Sequence, residues 1–388
     1  MADPVITGRG FYVPEDSLSN ADLASVVDTD RLARWVNQNE WCRQRLDELA
    51  GTDLAPRSDL ERHRQVYCDY IDRRIGIRTR RVVDRSAILE RRASQSARFG
   101  SDLGARAALE ALNVAGLAGE AVDVVICGTS SPDRIFPATA VEIQHRIGAE
   151  RAYGFDVLAA CSSFVYGLEI ARGLVLAGLV QRALLVSAEY FTCGVDYRDP
   201  ESAFFWGDAA VAVVVETAEL AWGKGGYQVL DTLCRSRFSD NIRTGLGGTR
   251  PFVAAAAAAA SSGSVEPGSP AYRSFFQNGP AVYREIVPLV VRVTREIVER
   301  NKYAIDEVRV FMFHQASRLI LDGIERRLLG SGAGRGRIAL NLDRFGNTSS
   351  CGVGICLAEE RVMEPGDIAC LSAFGAGYTV GTALLRKA

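Results

Sequence analysis

Residues 156–178 read DVLAACSSFVYGLEIARGLVLAG. A strand-like apolar run hands over, at Cys161, to a long amphipathic pattern. Ser162 and Ser163 favour a helix start, and FVYGLEIARGLVLAG supplies the apolar stripe behind them. A thiolate is the useful form of a nucleophilic cysteine, and the positive end of a helix dipole lowers a thiol pKa. Cys161 therefore has the setting of an activated thiol. A small cysteine packed in a core fits the same place, and these residues alone leave both readings open.

Working outward, several β-rich runs stand out: VDVVICGTSS (122–131), RALLVSAEY (182–190), AAVAVVVE (209–216), VRVFMFHQAS (308–317) and DIACLSAFG (367–375). Each is short, apolar and closed by small or polar residues, as strands covered on both faces are. Helical patterns alternate with them, at 94–115, 162–179, 281–300 and 318–329. That alternation predicts an α/β fold. An internal echo adds to it. VVICGTSS and VFMFHQAS each run from a strand into a polar loop, and FWGDAAVAVVVE and FGAGYTVGTALL each close a half. A duplicated unit joined near 217–227 is the expectation.

Bulk properties narrow the class. The 388 residues are 48% hydrophobic and 24% charged, with a net charge of −2 and the basic residues scattered, so no nucleic-acid partner is indicated. The first residues lack a basic region followed by a long apolar run, so no signal peptide is expected, and no window reads as a membrane span. The nine cysteines lie at 42, 68, 127, 161, 193, 234, 351, 356 and 370, an odd number with no CxxC pair. Reduced thiols, no zinc site and a cytoplasmic location follow as expectations.

Two segments do not fit a compact repeat. Residues 20–75 or so are dense in Arg, Asp and Glu and read as one or two surface helices. TGLGGTRPFVAAAAAAASSGSVEPGSP (244–270) reads as a low-complexity connector.

Of three histidines, His63 sits among charges and His145 in a helical run. His314 ends the strand VRVFMF, where α/β proteins open ligand crevices. A hydrogen-bonded structural histidine is the plainer reading there. Asn347 follows a glycine in NLDRFGNTSSCGVGICLAEE (341–360). Turn formation explains it, and so does an N–H aimed at a developing oxyanion. Cys127 and Cys370 lie inside strand-like runs, and Cys351 and Cys356 in an apolar helix, so all four read as packed.

AACSSFVYGLEIA, FHQAS, RFGNTSS and FGAGYTVGTALL, in this order, resemble the β-ketoacyl-acyl carrier protein synthase III family of the thiolase superfamily. VITGRGFYVPEDSLSNADLASVVDT, DYIDRRIGIRTRRV (69–82) and FWGDAAVAVVVE are similar to further landmarks of it. The resemblance spans the chain apart from an insert at about 31–65 and the alanine-rich segment. It implies an αβαβα five-layer sandwich of two βαβαβαββ halves, here 1–217 and 218–388, in a homodimer. It implies that Cys161 takes an acyl group from coenzyme A or a carrier protein as a thioester. His314 and Asn347 would stabilise the enolate of a decarboxylating malonyl-type extender, which attacks that acyl group in a Claisen condensation. The backbone amides of Cys161 and Ala376 would hold the oxyanion, Phe374 would line the decarboxylation site, and Phe136 would reach across the dimer to cap the partner's acyl pocket. No metal or redox cofactor is implied; the substrates ride on coenzyme A or phosphopantetheine.

Departures from the family pattern fall on the donor-docking side. Tyr70 stands where an adenine-stacking Trp is usual, with Arg74 retained; Ser317 replaces an Asn of HQAN; Pro280 replaces a polar tunnel residue, with Arg284 retained. Ser162 follows the nucleophile in place of Ala, and Gly375-Ala376-Gly377 replaces a triple glycine. A specialised ketosynthase of natural-product biosynthesis, extending one chain or joining two, is expected. An acyltransferase that makes an ester or amide from the Cys161 thioester is the alternative.

Overall fold

A computed structural model of the chain describes residues 2–50, 58–92, 94–244, 275–330 and 338–388. Nearly all of the connector expected at 244–270 lies outside the described residues. The strands of the main sheet are β1 (Val5–Tyr12), β2 (Val124–Gly128), β3 (Tyr153–Val157), β4 (Arg182–Glu189), β5 (Ala209–Glu216), β6 (Tyr227–Ser239), β7 (Val308–Phe313), β8 (Ile368–Gly375) and β9 (Gly377–Lys387). Their order is β7-β8-β9-β6-β1-β5-β4-β2-β3.

The duplication is visible in the pairings. In one half β3 runs parallel to β2 and β2 to β4; β5 then turns antiparallel to β4, and β1 antiparallel to β5. In the other, Ile338 bridges Phe311 of β7 in parallel, β7 runs parallel to β8, β9 is antiparallel to β8, and β6 antiparallel to β9. The halves meet at a narrow seam, Val5 opposite Gln228 and Ile6 opposite Tyr227.

Two helices lie between the halves. Ser163–Leu176 and Cys351–Glu359 share one core in which Phe164, Leu168, Val353 and Leu357 pack with Val213 of one half and Leu371 of the other. Residues 351–358 are all buried, as a helix covered on every side must be. The approach is close: a Cβ on Gly354 would lie 2.8 Å from Val211 and 2.9 Å from the Phe164 ring. Gly100–Ala115 and Thr139–Arg146 cover the outer face of the first half, with Leu103, Ala107 and Ile143 against Val125, Val186 and Val214. Gly279–Arg300 and Arg318–Leu329 cover the outer face of the second, through Ile286, Val290 and Ile324. The result is the expected αβαβα sandwich. Among the described residues no helix is long and apolar enough to cross a membrane.

The region at 20–75 departs from expectation. It forms helices at Asn20–Val26, Thr29–Gln38, Glu40–Ala50 and Asp59–Tyr70, and a π-helical turn at Ile71–Ile75. Asp28 caps the second helix through the amides of Asp30 and Arg31, and Ser58 with Glu61 caps the fourth. These are not merely surface helices. Leu32, Val36, Cys42, Val66, Tyr67 and Ile71 are fully buried and belong to the same core as Ile286 and Phe311. Abundant charge on the outer faces hides a sparse but regular inner stripe.

Candidate active site

Cys161 stands where β3 gives way to the first central helix. The chain passes through Ala160, which has φ +49, and a 3-10 turn at Ala160–Ser162. A positive φ in a residue with a Cβ is uncommon and needs support from its surroundings. Ser163 Oγ accepts the Ala159 amide at 2.9 Å, and the hydroxyls of Ser162 and Thr379 lie 2.7 and 2.9 Å from the Ala159 carbonyl. Ser162, unusual for the resembled family, thus braces the turn. From the other half, Gly375 comes so near that a Cβ there would sit 2.7 Å from the Cys161 nitrogen. The setting is drier than the sequence implied. Burial pushes the Cys161 thiol up to about 12, so a preformed thiolate is not what the helix start provides.

His314 follows β7, its amide donating to Ser372 O at 3.0 Å and its ring standing edge-on to Phe374 at 5.1 Å. The ring is buried, and desolvation lowers its pKa to about 3. A neutral imidazole results, able to donate one N–H and accept at the other nitrogen. Gln315 fixes this strand end to the next loop: its amide group donates to Phe313 O, and its side-chain oxygen accepts from Asn341 and Leu342.

Asn347 lies in that loop, pinned by its amide to Phe205 O at 2.8 Å and by its carbonyl to the Gly207 amide at 3.1 Å. Its side-chain oxygen accepts the Ser349 amide at 2.9 Å. With the oxygen so engaged, the NH2 group is the end left for a substrate, an orientation assigned by the hydrogen bond.

Cys161, His314 and Asn347 line one cavity together with Phe374, Ala376 and Ser317. Ser317 also caps the helix Arg318–Leu329, accepting the Ile320 amide, which accounts for a serine there. The opposite wall is apolar, with Phe205, Trp206, Val282 and Ile286. Three polar atoms of lining residues are buried without a partner: His314 Nδ1, Trp206 Nε1 and Ser130 Oγ. Orphaned buried polar atoms are costly, and their gathering in one cavity points to a polar ligand.

The other expected site residues lie elsewhere. Phe136 is 82% exposed, and Arg74 and Arg284 are exposed with no ion pair among the described residues. Tyr70 is not an open stacking platform. Trp35 meets its ring edge-on at 5.0 Å and Trp41 at 5.7 Å, both from the insert, and Phe204 lies at 6.1 Å. Stacking an adenine on Tyr70 would require moving the insert, which corrects the role expected of it. Pro280 occupies the first turn of Gly279–Arg300, where a missing N–H costs nothing. Sequence reading passed over Ser349, whose hydroxyl is 3.6 Å from Cys161 Sγ, although it sits inside the quoted RFGNTSS. It also passed over Trp206, which lines the cavity, and Glu189, a buried carboxylate that accepts Ser350 Oγ at 2.7 Å beside the Asn347 loop.

A five-layer sandwich with a cysteine, a neutral histidine and an asparagine in one cavity defines an enzyme of the ketosynthase or acyltransferase type. Comparison with known proteins agrees. Family models described as 3-oxoacyl-[acyl-carrier-protein (ACP)] synthase III and its C-terminal part match residues 155–237 and 298–387. The β-ketodecanoyl-[acyl-carrier-protein] synthase of Pseudomonas aeruginosa is 32% identical over 360 residues, 90% of this chain and 99% of that one. A β-ketoacyl-[acyl-carrier-protein] synthase III of Paramagnetospirillum magneticum is 30% identical over 388 residues, 98% of each chain. The crystal structure of 3-oxoacyl-[acyl-carrier-protein] synthase III from Aquifex aeolicus superposes with a TM-score of 0.74 at 25% identity, covering 99% of both chains. The chain belongs to the 3-oxoacyl-[acyl-carrier-protein] synthase III family.

Proposed function

We propose that this enzyme is a ketosynthase that builds a carbon–carbon bond on Cys161, in polyketide or other natural-product biosynthesis. The observation that carries the reading is the shared cavity of Cys161, His314 and Asn347 with its orphaned polar atoms. In the first half-reaction Cys161 Sγ attacks an acyl thioester, its proton passing to the departing carrier thiol, and an acyl-cysteine forms. In the second, a malonyl-type thioester loses carbon dioxide, and the enolate attacks the acyl carbonyl. Cys161 leaves as thiolate and regains a proton, and the product is a β-ketoacyl thioester. Neutral His314 and the Asn347 NH2 supply two N–H donors for the enolate oxygen, the backbone amides of Cys161 and Ala376 donors for the tetrahedral oxyanion. No metal or redox cofactor enters the scheme.

The donor in this reading is an acyl carrier protein rather than free acyl-CoA, because Trp35 and Trp41 cover the Tyr70 ring. Arg74 and Arg284 offer unpaired positive charge for the acidic carrier. The working unit is a homodimer. Strand β3 is a sheet edge with Tyr153 half-exposed, and the nearby Ile135, Phe136 and Leu158 are 75–82% exposed, an apolar surface a monomer would not keep.

The test is stepwise. Incubation with a set of acyl-carrier thioesters should add the acyl mass to Cys161, and malonyl- or β-ketoacyl-carrier should then release a carbon-extended product. Asn347→Ala should keep self-acylation and lose condensation. Acyl release only to an added alcohol or amine would favour the ester- or amide-forming alternative and sink this reading.

A further inference from the structure

Glu189 ends β4 with its side chain fully buried. Four donors meet its carboxylate, none of them cationic. Ser131 Oγ donates at 2.6 Å, Ser350 Oγ at 2.7 Å, the Ser130 amide at 3.1 Å and Thr129 Oγ1 at 3.4 Å. An ionised carboxylate only accepts and can take all four, and bonds to a charged acceptor are stronger than neutral ones. Thr129, Ser130 and Ser131 follow β2 of the first half, whereas Ser350 belongs to the loop of the second half that carries Asn347. Glu189 therefore ties the halves together beside the cavity that Ser130 and Asn347 both line.

Ser350 occupies the N-cap position of Cys351–Glu359, where a serine ordinarily accepts an amide of the first turn, yet its side chain caps nothing. Its hydroxyl is engaged by Glu189. Just before it Ser349 sits at φ +50, a conformation that a residue with a Cβ keeps only when its surroundings hold it. The Ser349 amide in turn donates to Asn347 Oδ1 at 2.9 Å, the bond that leaves the Asn347 NH2 facing substrate. We propose that Glu189 is a positioning residue for condensation: through Ser350 it holds the Ser349 turn, and the turn aims the Asn347 NH2 at the enolate oxygen. Without the Glu189–Ser350 bond, Ser349 relaxes and its amide leaves Asn347 Oδ1. The carboxamide is then free to turn its oxygen toward the enolate, which it would repel. Cys161 keeps its own supports in Ser162, Ser163 and Thr379, so acyl loading does not depend on the clamp.

This role rests on the reading of Asn347 as an enolate donor, so Asn347→Ala is measured beside Ser350→Ala and Glu189→Gln in the full-length protein. Loading of Cys161 from an acyl-carrier thioester is followed by intact mass, and kcat and KM are then taken with malonyl-carrier protein. Ser350→Ala should load within about threefold of the parent and keep KM within about threefold, while kcat for condensation falls at least about tenfold. Its loss should not exceed that of Asn347→Ala, which removes the donor outright and should cost about 10²–10³-fold. Glu189→Gln, similar in shape but without the charge, should show the same split. In an Asn347→Ala background, Ser350→Ala should cost less than about threefold more, because the group it positions is gone. A merely structural clamp would instead lower loading and condensation alike, or cost as much in that background as in the parent, and either result overturns the proposal. Parent-rate condensation in Ser350→Ala does so too, and decides the matter if Glu189→Gln does not fold. Impaired Asn347→Ala beside a parent-like Ser350→Ala defeats this inference alone. Parent-rate condensation in Asn347→Ala, or no loading of the parent from any carrier thioester, defeats the functional reading and the clamp with it.

Discussion

Gly375→Ala perturbs the nucleophile without touching its side chain. Gly375 ends β8, and a Cβ there would lie 2.7 Å from the Cys161 nitrogen, 3.0 Å from Ala160 Cβ and 3.2 Å from Thr379 Oγ1. The nearest of these atoms is backbone, so no rotamer change relieves the overlap and the Ala160–Ser162 turn has to move. Overpacking of this kind costs about 1–3 kcal/mol. The φ at Gly375 is not positive, so the alanine also rigidifies the unfolded chain, a gain of about 0.4–1 kcal/mol. The steric cost outweighs or at least cancels the gain, for a net loss of up to about 2.6 kcal/mol. Activity should suffer more than stability, because a displacement of about 1 Å at a reacting atom costs about 10²-fold. Urea unfolding gives the first quantity, and the single-turnover rate of acyl loading on Cys161, followed by intact mass, gives the second. Gly173→Ala is the control: it lies on the helix that follows Cys161, with nothing within 4 Å of its Cβ position, and should load at the parent rate. Parent-rate loading in Gly375→Ala would refute the close approach of β8 to the nucleophile turn.

Further expectations concern the insert, a buried cation and the histidine. Trp35→Ala removes a ring that touches Tyr67, Tyr70 and Phe204 and should lower stability by about 3 kcal/mol in urea unfolding; a loss below about 0.5 kcal/mol would mean the insert is not part of the core. Arg80→Met strips the Leu18 and Phe204 carbonyls of their buried guanidinium donor and should cost at least about 2 kcal/mol by the same measurement. His314 binds its proton more weakly folded than unfolded, its pKa falling from 6.5 to about 3 through burial. The unfolded state therefore takes up the extra proton, and stability falls as pH drops from about 6.5 toward 3, by about 1.4 kcal/mol per pH unit. His314→Gln should remove that slope from urea midpoints taken between pH 6.5 and 4, and an unchanged slope would show that the imidazole titrates normally.

Legibility followed chemistry and buried apolar runs. AAVAVVVE reads as a strand because both its faces are covered, and β5 spans Ala209–Glu216 as expected. The helix read from residue 94 starts at Gly100, because Asp102 caps it from inside through the Phe99 amide. Strand β6 escaped reading, since YQVLDTLCRSRFS carries charge along an outer half that is largely exposed. β3 was caught only at its end, as the strand-like run before Cys161, because it is five residues at a sheet edge with no buried position. At the site, Cys161, His314 and Asn347 were legible as candidates because each sits in a local pattern that breaks at a loop, and only the family resemblance joined them into one site. Glu189 was not, because it looks like the last residue of any strand. Its meaning lies in Ser350, 161 residues away, and only the closure of the two halves brings them together. Tyr70 was misjudged for a related reason, as its neighbours Trp35 and Trp41 come from helices whose composition reads as surface.

The duplicated fold also explains why the site is built as it is. In the first half, β3 leads through a loop into the helix Ser163–Leu176, and that loop holds Cys161. In the second half, the bridge at Ile338 takes the place of β3, and the loop that follows leads into Cys351–Glu359 and holds Asn347. Each loop contains a non-glycine residue at positive φ, Ala160 at +49 and Ser349 at +50. The same strand–loop–helix unit is therefore used twice, once to aim a nucleophile and once to aim a hydrogen-bond donor. Because the two central helices pack side by side, their preceding loops must face each other across the seam. Residues 186 positions apart in the chain thus line one cavity by symmetry of the fold. Nucleophile and donor cannot drift apart unless the central layer itself is disturbed, which makes the Phe164–Gly354 contact as much a condition of catalysis as of stability.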